Sequence, residues 1–305
     1  MTRILLTGKT GQVGYELHRS LQGLGEVIAL DRRQMDLSDL MQVREVIRQI
    51  KPGLIVNPAA YTAVDKAESE QTLALRINAE APGVMAEEAR KLGAAMIHYS
   101  TDYVFDGSKA SAYTEDDPTC PINVYGSTKL AGEQAIQDAG IPFLIFRTSW
   151  VYGMRGKNFL LTVLRLARER DELRIVADQH GTPTWCRTIA DTTSHIVAHL
   201  LSASAPEHGS SSEPGIASGI SQETWRNRSG IYHLTAKGQT TWHGFTKAIV
   251  EHASVARKPI VTPIATRDYP LPARRPANSA LSCNRLTDTF CGLPDWRDAL
   301  SLCQD

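Results

Sequence analysis

Three short segments carry residues whose types and spacing could do chemistry: Gly8-Lys9-Thr10-Gly11-Gln12-Val13-Gly14, Ser100-Thr101-Asp102-Tyr103 and Tyr125-Gly126-Ser127-Thr128-Lys129. Glycines let a backbone turn tightly and approach a pyrophosphate, whose charge then sits at a helix N-terminus. Tyr125 and Lys129 are four residues apart, so on a helix they share one face. A free phenol titrates near ~10, and a neighbouring ammonium favours the phenolate and lowers that value. The same lysine can hold a nicotinamide ribose. The Thr101 hydroxyl could donate to a substrate oxygen and orient a carbonyl. The combination describes an enzyme that uses NADPH or NADH on a carbonyl or an alcohol, with Thr101, Tyr125 and Lys129 as its catalytic residues.

The glycine spacing is GxxGxxG rather than GxGxxG, and about 0.1 such triplets are expected by chance in a chain of this glycine content. Asp31 ends the second predicted strand, where an acid can bond the adenosine ribose hydroxyls and favours NAD. Arg32 and Arg33 follow at once, and a guanidinium there can hold a 2′-phosphate and favours NADP. The two signals conflict, and both cofactors stay open. Asp36 and Leu37 could flank the adenine. Among other candidates, His98 lies within a predicted strand and reads as a packed core histidine. His180 reads as a loop residue within reach of a ligand. Glu115-Asp116-Asp117-Pro118 reads as a solvated turn, and Arg274 and Arg275 could clamp a diphosphate.

The elements that must position these residues alternate. Residues 4–6, 27–30, 54–56, 95–99 and 143–146 read as strands, and 13–24, 40–50 and 79–92 as helices. This β-α-β alternation predicts an α/β fold, a doubly wound, mainly parallel sheet of Rossmann type, with a smaller C-terminal substrate domain. Ligands then bind at the carboxyl ends of the strands, where Gly8, Asp31, Ala60, Thr101 and Trp150 fall. The expected division is a dinucleotide-binding domain over residues 1–150, to which 185–201 and 230–238 return, and a substrate domain over 151–184 and 239–305. Residues 202–229, rich in Ser, Gly, Pro and Glu, read as a flexible insertion.

Bulk properties narrow the function class. The 305 residues carry 33 Lys plus Arg and 33 Asp plus Glu, a net charge of zero, which argues against a phosphate-binding nucleic-acid partner. Five scattered cysteines form no CxxC pair, so a zinc or redox motif is not expected and a reducing compartment fits. Neither a signal peptide nor a membrane-length apolar run is visible. The expectation is a cytoplasmic chain.

These motifs resemble the extended short-chain dehydrogenase/reductase superfamily and, within it, the dTDP-4-dehydrorhamnose reductases. The resemblance also runs through Tyr61-Thr62-Ala63-Val64-Asp65, Arg147-Thr148-Ser149-Trp150-Val151-Tyr152, Asp178-Gln179-His180-Gly181-Thr182-Pro183-Thr184 and Arg274-Arg275-Pro276-Ala277-Asn278-Ser279. It implies a dTDP-sugar substrate and hydride delivery to C4 of a 4-keto sugar. Tyr125 would donate the proton, Thr101 would bond the same oxygen, and Lys129 would lower the Tyr125 pKa and hold the ribose. Asp102, Tyr103, Trp150, Arg274 and Arg275 would shape the sugar-nucleotide site, and Ala59, Ala60 and Tyr61 would pass beside the cofactor. Some relatives hold Mg²⁺ with carboxylates at a dimer interface. Glu16 could match one ligand, but Trp185-Cys186-Arg187 stands where another is expected, and arginine cannot bind Mg²⁺. No metal site is therefore expected, and a homodimer stays open. Two alternatives also resemble the motifs: another sugar-nucleotide reductase or epimerase, and an NADP-binding regulatory subunit of the methionine adenosyltransferase type.

Overall fold

The computed structural model describes residues 2–203, 221–255 and 257–305. In chain order its strands are β1 (Arg3–Leu6), β2 (Glu26–Ala29), β3 (Leu54–Asn57), β4 (Ala95–Thr101), β5 (Phe143–Thr148), β6 (Val151–Tyr152), β7 (Glu172–Val176), β8 (His180–Gly181), β9 (Thr184–Trp185), β10 (Gly230–His233), β11 (Thr240–Thr241) and β12 (Ile260–Ile264). The helices are α1 (Gln12–Ser20), α2 (Leu40–Ile50), α3 (Val64–Ala67), α4 (Gln71–Leu75), α5 (Ala81–Leu92), α6 (Val124–Asp138), α7 (Phe159–Glu169), α8 (Cys186–Ser202), α9 (Gln222–Arg228), α10 (Trp242–His252), α11 (Asn284–Thr289) and α12 (Trp296–Gln304).

Six strands form one sheet in the order β10-β5-β4-β3-β1-β2, and every neighbouring pair in it is parallel. The predicted doubly wound α/β fold is therefore present. The chain progresses outward from β1 in both directions, so a crevice opens beyond the carboxyl ends of β1 and β3. Side chains alternate across the sheet. Ile4, Leu6, Val56 and Ile97 enter one core with Leu17 of α1 and Ile189, Ile196 and Val197 of α8. Leu5, Ile55 and Met96 enter the opposite core with Val43 and Ile47 of α2 and Met85 of α5. A separate core of Tyr152, Leu160, Phe245, Ile249, Trp296 and Leu300 holds together the smaller C-terminal unit, where β12 pairs with β7. Among the described residues no helix is long and apolar enough to cross a membrane.

Three expectations need correction. Of the stretch read as a flexible insertion, residues 204–220 lie outside the described residues, but Gln222–Arg228 forms a helix capped by Ser221, whose hydroxyl accepts from Thr224 N. Trp225 is fully buried in the core under the large sheet, and burial of one indole outweighs the polar composition around it. Leu286 and Leu293 join that same core, although residues 239–305 were assigned to the substrate domain. The turn expected at 115–118 starts at Glu115 and Asp116, but Glu115 is not solvated: its side chain is almost wholly buried and accepts from His233 N at 2.8 Å.

Helix α6 carries Tyr125 and Lys129, and two devices fix it. Asn123 caps its start, accepting from Gly126 N at 2.8 Å while donating to Arg274 O at 2.8 Å. One helical turn beyond Lys129, Glu133 makes a bidentate pair with Arg147 of β5, at 3.0 and 2.7 Å, with both side chains at most 3% exposed. Removing one partner leaves a buried, uncompensated charge. Glu133→Gln should therefore destabilise the protein by about 3–5 kcal/mol in urea unfolding; a loss below about 1 kcal/mol would mean the pair does not hold the helix.

Candidate active site

The turn from β1 to α1 is built by backbone crowding. Gly8 takes φ +59, in the left-handed region that favours glycine. A Cβ on Gly14 would overlap the Gly8 carbonyl oxygen. Only hydrogen at that position lets α1 start so close to the end of β1. Gly11 caps the helix without a side-chain hydrogen bond, which leaves the N-terminal N–H groups facing outward, an anion-binding arrangement.

This turn forms one wall of a cavity of about 610 Å³, within the range of cofactor sites, roughly 300–1,000 Å³. Gly8, Thr10, Gly11, Gln12, Val13 and Gly14 line it, as do Arg32, Asp36, Leu37, Ala59, Ala60 and Tyr61, and at its far end Tyr125 and Lys129. Asp31 does not line it. Its carboxylate turns back onto its own loop, accepting from Arg33 N at 2.9 Å, with Lys9 Nζ 3.7 Å away. Arg32 does line the cavity, tethered to Asp36 at 3.2 Å. Two hydroxyls at the wall, Ser100 Oγ and Thr148 Oγ1, are buried without a hydrogen-bond partner. Such orphans await a ligand's polar groups. A glycine cradle at one end and unpaired hydroxyls at the other fit an extended dinucleotide.

Thr101, Asp102, Tyr103, Trp150, Arg274 and Arg275 stand outside this cavity. Thr101 is buried, donates to Asp102 Oδ1 at 2.9 Å and lies close enough to the Tyr125 phenol to act on its ionisation. The rings of Tyr103 and Tyr125 meet edge to face, 5.9 Å between centroids. Burial pushes the Tyr125 phenol up to about 12; the adjacent Thr101 hydroxyl opposes the shift and the Asp102 charge adds to it. Burial likewise pushes the Asp102 carboxyl up to about 7 against the nearby Ser279 hydroxyl and the bond from Thr101, and Asp102 Oδ2 is buried without a hydrogen-bond partner. The expectation that Lys129 lowers the Tyr125 pKa is not met. Lys129 Nζ points into the sheet, donating to Tyr99 O at 2.7 Å and lying 3.0 Å from His98 Nε2. A buried ammonium seeks acceptors, and the strand backbone supplies one.

Arg275 also departs from its expected diphosphate clamp. Its guanidinium is engaged by Asp65 at 2.6 and 2.8 Å and by Ala273 O at 2.6 Å, while Arg274 is exposed. Trp150 takes φ +46, a conformation that costs a bulky residue roughly 1–3 kcal/mol. It is held by stacking on Trp242 at 3.6 Å and 8°, and Trp242 is tied to Gln179 at 3.2 Å. His180 sits in β8, its backbone bonded to Ala277 and Ser279 and its side chain exposed.

Sequence reasoning missed Trp242, Asn57 and Asn78. Asn78 sits in a π-turn (Arg76–Glu80) between α4 and α5. Its amide bonds both Tyr61 N (2.8 Å) and Tyr61 O (3.1 Å), pinning the 59–61 segment to the cavity wall. Asn57 and His98, polar side chains inside otherwise apolar parallel strands, were the available signal. Nothing local marks Trp242, which meets Trp150 only through the fold.

The RmlD substrate binding domain model matches residues 1–212 and 214–305. The chain is similar to the dTDP-4-dehydrorhamnose reductase of Burkholderia thailandensis, 49% identical over 99% of this chain and 97% of the relative. It is also similar to that of Escherichia coli K12, 45% identical over 96% and 94%. The crystal structure of dTDP-4-dehydrorhamnose reductase from Bacillus anthracis in complex with NADP superposes with a TM-score of 0.86 at 32% identity, covering 99% of this chain and 98% of that one.

If the glycine cradle seats the dinucleotide, a methyl group at Gly14 must displace the turn. Gly14→Ala is expected to weaken NADPH binding by roughly 100-fold in a fluorescence titration. Unaltered affinity with an unaltered melting temperature would place the dinucleotide elsewhere.

Proposed function

The chain belongs to the family of dTDP-4-dehydrorhamnose reductases, and from that premise we propose how its residues perform the family's reaction. It is an NAD(P)H-dependent oxidoreductase that reduces the 4-keto group of dTDP-4-dehydrorhamnose to give dTDP-rhamnose. When bound, the reduced nicotinamide supplies the hydride. The chain's residues orient the two ligands and supply the proton.

The Thr101 hydroxyl stands beside the Tyr125 phenol and acts on its ionisation, and this juxtaposition carries the reading. Two hydroxyls at one point can both address a single carbonyl oxygen. The raised phenol pKa suits a donor: Tyr125 keeps its proton at neutral pH and releases it only to a strongly basic oxygen, such as the alkoxide forming at C4. Thr101 donates to that same oxygen and polarises it in the ground state. Its bond to Asp102 must then be exchanged for one to substrate. Lys129 lines the nicotinamide end of the cavity, where its third N–H can reach a ribose hydroxyl.

The Gly8–Gly14 turn and the first N–H groups of α1 would hold the pyrophosphate. Arg32 lines the adenosine end and Asp31 is turned away. This arrangement supports acceptance of a 2′-phosphate, with NADH also accommodated because nothing there demands the phosphate. Trp150, backed by Trp242, would form a flat wall for the sugar. Arg275, paired with Asp65, would act by holding its own segment against α3 rather than by gripping the diphosphate.

The test follows loss of reduced-nicotinamide absorbance with dTDP-4-dehydrorhamnose and identifies the product. Tyr125→Phe should lower kcat by about 100- to 10,000-fold and Thr101→Val by about 10- to 100-fold, each with cofactor affinity retained. Wild-type turnover in Tyr125→Phe would remove it as the proton donor. In the same assay Arg32→Ala should raise KM for NADPH by about 10-fold while leaving KM for NADH nearly unchanged. Equal effects on both would assign Arg32 a role unrelated to the 2′-phosphate.

A further inference from the structure

Polar side chains from four elements stand in one buried row through the sheet. Thr7 follows β1, Asn57 ends β3, His98 lies in β4 and Lys129 comes from α6. Thr7 Oγ1 donates to Asn57 Oδ1 at 2.6 Å. Asn57 Nδ2 lies 3.1 Å from His98 Nδ1, and His98 Nε2 lies 3.0 Å from Lys129 Nζ. Asn57 and His98 are register partners on neighbouring strands, and all four side chains are buried. Thr7 and Lys129 both line the cavity, so the row runs from one wall to another through an interior that parallel sheets normally fill with apolar residues.

Counting donors and acceptors shows what such a row must do. A neutral imidazole has one donor nitrogen and one acceptor. An ammonium at Lys129 has only donors, so Nε2 must accept. The ring proton then sits on Nδ1, and Asn57 must present its oxygen there. With Asn57 presenting Nδ2, as in the structure, Nδ1 accepts and Nε2 carries the proton. Its partner Nζ must then accept, which only a free amine can do. Tautomer, amide orientation and lysine charge are thus one variable.

We propose that His98 is a positioning residue acting through Lys129, and that the Thr7–Asn57–His98 row couples the imidazole tautomer to whether Lys129 is an ammonium or an amine. The two forms differ by one proton, released from Lys129 to the water of the cavity, with the imidazole neutral in both. The electrostatics allow both. Burial and the lysine charge hold His98 well below its ordinary value, and burial lowers Lys129 to about 8 against the opposing pull of Glu133. The groups facing Lys129 are Tyr125 and Glu133 from its own helix and His98 from β4. Arg147 of β5 neutralises Glu133, and the Asp102 charge acts on Tyr125. A compensated pair therefore faces Lys129, rather than a free carboxylate that would pin the ammonium. The inference rests on the proposed reading of Lys129 as part of the reducing site.

Imidazole ¹⁵N NMR of the full chain, with His98 assigned through His98→Gln, tests it without turnover. Between about pH 6 and about pH 10, His98 should pass from the Nδ1–H to the Nε2–H tautomer with a midpoint near about 8, and this transition should vanish in Lys129→Met. A single tautomer throughout, an imidazolium, or an unchanged transition in Lys129→Met would overturn the coupling. In the assay, His98→Phe should move the basic limb of the kcat profile down by about one pH unit, and His98→Gln, which keeps an acceptor, should restore it. An unmoved limb with reduced kcat would make His98 a packing residue and overturn the proposal. A tautomer transition in a protein that does not reduce the sugar would uphold the row and sink the catalytic reading instead.

Discussion

The bidentate pair between Glu133 and Arg147 is the constraint on which the arrangement of the site depends. It ties the middle of α6 to β5 in a region without solvent, where a misplaced helix would strand both charges. A second constraint acts from the other side. A Cβ on Gly132 would overlap the Asn78 carbonyl oxygen, so α6 can sit against the π-turn only because glycine stands there. Between these anchors the helix has little freedom to rotate. Lys129 and Tyr125, one and two turns earlier, inherit their directions from it: the amine into the sheet, the phenol toward Thr101.

The cavity arises from the same economy of close approach. The Gly8–Gly14 crossing brings α1 down onto the end of β1, and Asn78 pins the 59–61 segment at the end of β3. These two strands are the neighbours at which the sheet reverses its order, where a crevice must open. The smaller unit adds Trp242 behind Trp150, and a strained backbone at Trp150 persists because ring stacking over-determines it. Charge and polarity within the site follow from burial rather than from a neighbouring cation. Phenol, carboxyl and lysine are each shifted toward their neutral forms.

Much of this was legible in the chain itself. Alternating apolar runs and helical periods specify a parallel sheet, since each strand must be buried on both faces and each crossover needs a helix. The spacing of Gly8, Gly11 and Gly14 marks a strand-to-helix turn, and the i, i+4 spacing of Tyr125 and Lys129 places both on one helix face. Local composition misled at residues 222–228, where a polar stretch hides one buried indole, and at Glu115, whose acidic neighbours disguise a carboxylate that serves a distant backbone N–H.

Sequence alone determined which residues share an element, because periodicity and backbone sterics are local. It could not determine where side chains from different elements point. That Lys129 turns toward His98 rather than Tyr125, that Asp31 folds back on its loop, and that Arg275 is taken up by Asp65 were decided only when the elements packed. A buried ion or hydrogen-bonding group takes whichever partner the tertiary fold brings within about 3 Å, and that distance is a property of the assembled structure.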